Sequence, residues 1–269
     1  MTLPTPPLTD VIAVASGGSH LLALTGSGQV VAWGDNSYGQ VDVPSDLEGV
    51  VAIAAAATHS VALKGDGKVV AWGSDLNGQV SVPQGLDGVI AIDAGGETSF
   101  GLRRDGTAVY WGMYASGAYK TIGAPGFSIV SVGVGDTHLA VLFNDGELGG
   151  NSIDLASAYK PKSPPVPLPF LTAVTVGSGF LVALTREGTV VAWGRNDYGQ
   201  ATPPEGLEAV TAISAGGASA LARLNDGTVV AWGNASLPSG LSEIAAVAAG
   251  SQSIALKHDG TVVVWGIDD

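Results

Sequence analysis

The chain of 269 residues contains no cysteine, which excludes disulfides and thiolate chemistry. Charge is scarce as well. Charged residues make up 13%, and 11 basic side chains face 24 acidic ones, a net charge of −13. Such a field repels phosphate backbones and anionic headgroups, so no nucleic-acid partner is expected. Long apolar runs are also missing. The longest nearly unbroken one, Val50 to Ala57, is far short of the ~20 residues of a spanning helix, so no membrane insertion is expected. The opening residues, MTLPTPPLTD, have no basic stretch followed by an apolar run. No secretory signal is read in them, which leaves a cytoplasmic protein and a mature exported form equally open. Glycine, in contrast, is plentiful. It supplies 40 of the 269 residues, about twice the usual ~7%, without the strict triplet period of collagen. Together with 46% hydrophobic residues, this predicts a folded, turn-rich, all-β chain.

An internal repeat organises the whole sequence. Its unit, VAIAAAATHSVALKGDGKVVAWGSDLNGQVSVP from Val51 to Pro83, recurs with a turn glycine at Gly28, Gly67, Gly106, Gly146, Gly188, Gly227 and Gly260. All six tryptophans (Trp33, Trp72, Trp111, Trp193, Trp232 and Trp265) stand five residues after one of these glycines, and Asn151 takes that place in the fourth copy. Within a copy, Val50 to Ala54 and Ser60 to Leu63 read as strands. The Gly65-Asp66-Gly67 turn leads into a third, Lys68 to Trp72, and Gln79 to Val82 is expected to add a fourth, outer strand ended by Pro83. Seven such copies predict a seven-bladed β-propeller of short four-stranded antiparallel blades, one domain over residues 1–269 with an irregular region at about 113–170. The last copy stops at Asp269 without an outer strand. Residues near Thr2 to Pro4 are expected to pair with the strand ending at Trp265 and close the ring.

The unit A-I-A-A-G-x-x-H-S-x-A-L-K-x-D-G-x-V-x-A-W-G-x-N-x-x-G-Q resembles the regulator of chromosome condensation repeat superfamily. This resemblance covers nearly the whole chain and implies a seven-bladed propeller. In repeat style, VVAWGDNSYGQ (Val30 to Gln40) and VVAWGRNDYGQ (Val190 to Gln200) look closest to the bacterial propeller-type β-lactamase inhibitory proteins. That likeness implies a β-lactamase as one specific partner. The inhibitory relative carries a strongly aromatic upper surface, whereas the loops here read Gly-Gly-Ser-His, Ala-Ala-Thr-His and Gly-Gly-Ala-Ser.

Strand order sorts the loops onto two faces. Lys64, Lys68, Arg103, Arg104, Arg186 and Lys257 flank the hairpin turns of one face, and Asp35, Asp75, Glu97, Asp136 and Asp197 fall on the loops of the other, here termed the top. Candidate partner-binding residues are these five acids with Asn36, Tyr38, Tyr114, Tyr119, Phe180, Asn196 and Tyr198, since tyrosines on rigid loops make effective interface anchors. His20, His59 and His138 share one register of the repeat. A structural hydrogen bond is expected of them rather than a zinc site, because equivalent positions on different blades are too far apart to share an ion. One tryptophan per blade is read as inter-blade packing. The run Pro161 to Pro169 reads as a stiff outer loop, and Arg223, at a register held by leucine in the other six copies, is expected to mark a one-residue slip that turns Leu224 inward.

The sequence contains no metal-ligand cluster, phosphate loop or nucleophile elbow. The expected function is therefore a non-catalytic, monomeric, protein-binding propeller, acting as a scaffold or inhibitor through its top loops and needing no cofactor. The alternative is a propeller that binds a small ligand or carbohydrate, or an enzyme, at the mouth of the central channel.

Overall fold

The computed structural model describes residues 8–113, 119–123, 128–136, 138–148 and 168–266. Seven antiparallel sheets follow one another along these residues, with no α-helix among them. The first holds β1 (Val11–Ser16), β2 (His20–Thr25) and β3 (Val30–Gly34), and the second holds β4 (Val50–Ala55), β5 (His59–Lys64) and β6 (Val69–Gly73). The third comprises β7 (Val89–Gly95), β8 (Thr98–Arg103), β9 (Ala108–Gly112) and β10 (Lys120–Ile122), and the fourth only β11 (Ile129–Val134) and β12 (Leu139–Phe143). The fifth is β13 (Leu171–Val176), β14 (Phe180–Thr185) and β15 (Val190–Gly194); the sixth is β16 (Val210–Gly216), β17 (Ser219–Leu224) and β18 (Val229–Gly233). The seventh is β19 (Ile244–Ala248), β20 (Gln252–Lys257) and β21 (Val262–Gly266).

The core lies between the sheets. In β2, Leu21 and Ala23 pack with Ile254 and Leu256 of the seventh sheet, while Leu22 and Leu24 pack with Val50, Ala62 and Trp72 of the second. Alternate residues of a middle strand thus serve opposite neighbours, which is why these strands read as unbroken apolar runs. Every tryptophan sits against the preceding sheet, as expected: Trp111 with Val61 and Leu63, Trp232 with Phe180 and Val182, and Trp33 with Ile254. The first and last sheets therefore share a core, and Val11 N donates to Gly260 O just as Val50 N donates to Gly28 O, both at 3.3 Å. The predicted pairing of Thr2–Pro4 lies outside the described residues.

Two backbone positions explain the recurring glycines. Gly73, after the tryptophan of β6, has φ +109°, and a Cβ there would fall 2.7 Å from Thr58 O. The residue before each first strand is also left-handed in five sheets. It is Gly49 and Gly88 in two of them, but Asp10, Ala209 and Glu243 with φ of 60°, 56° and 59° in three.

Two expectations are corrected. No fourth strand forms at Gln79–Val82, because its amides are consumed locally: Val80 N bonds Asp75 Oδ1 at 3.0 Å and Ser81 N bonds Gly78 O at 3.2 Å. Among the described residues a fourth strand occurs only as β10, in the third sheet. Nor does the chain slip at Arg223, which pairs with Ala212 and Val229 in the same register that Leu24 keeps with Ala13 and Val30. Its guanidinium instead reaches Ile244 O at 3.1 Å and Thr211 Oγ1 at 2.8 Å, so the charge is satisfied without moving the strand.

Candidate functional site

Backbone bonds fix the loops at two ends. The loop leaving a third strand is tied to the loop between the first two: Asp35 N donates to Ser19 O at 2.8 Å, Ser74 N to Thr58 O at 3.0 Å, and Arg195 N to Gly179 O at 2.7 Å. Both sets therefore stand at the top. The hairpin turns, with Lys64, Lys68, Arg103, Arg104, Arg186 and Lys257, bond instead to residues before the first strands, as Arg104 N does to Gly88 O at 2.9 Å. Among the described residues the top loops carry one cation, Arg195, paired with Asp197.

The top loops are braced from within. Gln40 is fully buried; its Oε1 accepts Tyr38 N at 2.9 Å and its Nε2 donates to Asp35 at 2.9 Å. The Ser37 hydroxyl, 2.6 Å from Asp35, holds that carboxyl below its ordinary range, with Gln40 adding to the effect. Asn36, Asp75 and Asn196 share one register, and each accepts the amide five residues on (Val41, Val80 and Ala201) and bonds the side chain six residues on (Asp42, Ser81 and Thr202). These three candidates thus spend their polar atoms on the loop itself. Among exposed polar groups the loops also present large side chains outward: Tyr38 is 50% exposed, Tyr198 57% and Leu76 78%. Glu97 accepts from Asn77 Nδ2 at 2.6 Å, and Asp136 accepts from the Ser178 hydroxyl of the neighbouring sheet. Tyr119 is half exposed beside β10, and Tyr114 lies outside the described residues.

Phe180 is corrected. It is fully buried among Val182, Leu184 and Ala220, where its ring fills the space that imidazole takes in other copies, so it offers nothing to a partner. The histidines behave as structural pins. His20 Nε2 lies 2.8 Å from Ser60 Oγ, and His59 Nε2 lies 2.8 Å from Ser99 Oγ, each across a sheet boundary. Ser60 in turn donates to Gln40 O at 2.9 Å, the same carbonyl that receives Trp72 Nε1 at 3.0 Å. With the hydroxyl proton committed to that carbonyl, His20 Nε2 must be the donor to Ser60. A Ser–His contact of this polarity cannot activate the serine. Burial also drives His20 down to about 4 and His59 to about 3, so both are neutral at physiological pH. Among the described residues no three His, Asp or Glu side chains are grouped to hold a metal.

Among the described residues the first strand of each sheet has no strand partner on its inner side, and these edges surround an axial channel. Its upper part is a cavity of about 220 Å³ bounded by residues of all seven sheets, most of them glycine or alanine. A lower cavity of about 250 Å³ shares one residue of each sheet or its loop with it, among them Ser16, Ala94, Val176 and Ala249. Asp93 lines the lower cavity, where the other copies have Ala15, Ala54, Gly133, Thr175, Ser214 and Ala248. Its carboxylate accepts Ala94 N at 2.9 Å and, from the next sheet, Val134 N at 2.8 Å. Desolvation pushes this carboxyl up to about 7, and the two amide bonds offset only part of that. Thr175 and Ser214 make the same reach between sheets, to Ala215 N at 3.1 Å and Ala249 N at 2.9 Å. Sequence reasoning missed Asp93 and Leu76. An acid inside an apolar first strand was the available signal for Asp93.

The family model of the regulator of chromosome condensation (RCC1) repeat matches residues 11–40, 50–79 and 171–200. No curated protein sequence matches the chain. Among solved structures, the ectodomain of the receptor kinase CR4 from Physcomitrella patens aligns with a TM-score of 0.77 at 19% identity, over 95% of this chain and 73% of that one. The CRINKLY WD40 ectodomain of the Arabidopsis thaliana receptor kinase ACR4 aligns with a TM-score of 0.75 at 20% identity, over 96% and 98%. Yeast RCC1 (Prp20), solved bound to Kap60, aligns with a TM-score of 0.56 at 19% identity, over 95% and 70%. At these identities the likeness establishes the fold.

Proposed function

We propose that this propeller, three of whose repeats match the regulator of chromosome condensation repeat, is a non-catalytic protein-binding module that engages its partner through the top loops. The observation that carries this reading is the pairing of exposed Tyr38, Leu76 and Tyr198 with loops fixed from within by Gln40, Asn36, Asp75 and Asn196. Apolar side chains held on rigid supports lose little entropy on docking, which is what an interface anchor requires. The acids between them favour a partner surface that is basic around an apolar centre. Yeast RCC1, of the same fold, is bound to a protein, Kap60, in its solved structure. A non-catalytic role accords with the His20–Ser60 and His59–Ser99 contacts, whose protons are committed to structure.

The test is affinity capture from the source organism with the wild-type chain and a Tyr38→Ala, Leu76→Ala, Tyr198→Ala variant. One protein retained by the wild type and lost by the equally folded variant is expected. A variant that retains the same protein at the same level would remove the top loops from the site. An inhibitor role further requires that the captured protein be an enzyme slowed by the wild type and not by the variant.

A further inference from the structure

We propose that the axial channel binds a slim linear cation, a primary ammonium or guanidinium at the end of an unbranched aliphatic chain, with Asp93 as its counter-ion. The charged centre of this site lies in the lower cavity, whose lining includes none of Tyr38, Leu76 and Tyr198, and either reading can fail without the other.

The shape selects a thin ligand. Seven first strands converge on the axis, and the upper cavity is lined mostly by glycine and alanine. The walls below expose mainly polar atoms, with Val14, Ile53 and Ile92 packed toward the cores between sheets, so the methylenes of a ligand lie against the small side chains above. The charge selects a cation. Asp93 is the one charged side chain lining the lower cavity, and none of the ion pairs among the described residues includes it. Each of its carboxylate oxygens accepts a single backbone amide, which leaves acceptor capacity on both. A partly buried carboxylate without a counter-ion carries a desolvation cost, and an entering cation relieves that cost.

The polar lining fits the same class. Unpaired strand edges present backbone carbonyls to the axis, and Thr175 and Ser214 stand at the level of Asp93, so the several N–H donors of an ammonium or guanidinium find acceptors around them. Asp136 at the upper mouth and the net charge of −13 draw cations toward the entrance. Two sources share this chemistry: a free diamine or polyamine, and a lysine or arginine side chain projected by a partner's loop.

The experiment uses the full chain, labelled with ¹⁵N, at pH 8, where Asp93 is ionised. Two probes are titrated, cadaverine and a cyclic hairpin peptide with one lysine at its tip, against 1-pentanol as the uncharged control. Saturable shifts of the Ala94 and Val134 amides are expected with at least one cationic probe and not with pentanol. Cadaverine alone would identify a free amine as the ligand, and the hairpin alone a protein side chain. Asp93→Asn should weaken binding by about tenfold or more, as loss of a hydrogen bond to a charged group does. Absence of saturable shifts with both probes, equal response to pentanol, or undiminished binding by Asp93→Asn would overturn the proposal. If that variant does not fold, the wild type still decides. A bound cation should lower the Asp93 titration midpoint, followed by carboxyl ¹³C shift, by about one unit or more, and an unmoved midpoint overturns the proposal.

Discussion

Acidification from pH 8 to pH 5 pulls this ring in two directions, and the two can be separated. His20 and His59 have their pKa values lowered by burial from 6.5 to about 4 and about 3. Between those values and 6.5 the unfolded chain binds more protons than the folded one, so stability is full above 6.5 and falls as the pH drops. At pH 5 each histidine removes about 2 kcal/mol, together about 4 kcal/mol. Asp93 has the opposite sign. Its folded value of about 7 lies above the unfolded 3.8, so the native state takes up the proton first and gains stability as the pH falls through 7. Because Asp93 is only partly shielded from solvent, about 2 kcal/mol is the appropriate gain at pH 5. The exposed carboxyls held below 3.8, such as Asp35 and Asp259, lose their contribution only at lower pH. Urea denaturation at the two pH values should therefore show the wild type losing about 2 kcal/mol at pH 5, and Asp93→Asn losing about 4 kcal/mol. A His20→Gln, His59→Gln variant should reverse the sign and become more stable at pH 5 than at pH 8. A double variant that is destabilised by acid as much as the wild type would refute the assignment of neutral, buried imidazoles.

Other outcomes follow from single positions. Ala209→Gly and Glu243→Gly should each stabilise the fold by about 0.5–1 kcal/mol, the left-handed penalty less the added chain entropy, read as a shift in the denaturation midpoint. Gly88→Ala should cost a similar amount, since a Cβ there meets nothing within 4 Å and only the backbone angle is at stake. Ser60→Ala strands His20 Nε2 in a buried site and should cost about 1–3 kcal/mol by the same assay. The top-loop triple variant should leave the midpoint within about 0.5 kcal/mol of wild type, because its side chains are exposed.

The periodic parts of the molecule were legible from sequence because they repeat: turn glycines, tryptophans and apolar middle strands each recur at a fixed spacing, and each does the same packing in every sheet. The outer segment was misread because alternating Gln79-Val80-Ser81-Val82 looks like a strand, while the deciding bonds come from Asp75 and Gly78 upstream. Phe180 looked like an exposed departure from the repeat, yet any large ring suits the buried slot that imidazole otherwise fills. Arg223 could be tolerated in register because its length carries the charge past the core to Thr211. Asp93 and Leu76 stayed hidden since their roles depend on where the ring places them, at the axis and at a loop tip.

Placing every core at a seam between sheets has a consequence for the axis. The sheets bear on one another like the stones of an arch, and the bonds from Asp93, Thr175 and Ser214 to the next sheet are ties added near the axis. Along the channel wall Ala15 and Ala54 still belong to those cores, whereas Asp93, Thr175 and Ser214 hold the same register with polar side chains. That one register accepts alanine, glycine, threonine, serine and aspartate in turn, so the chemistry of the middle can change while the seams stay as they are.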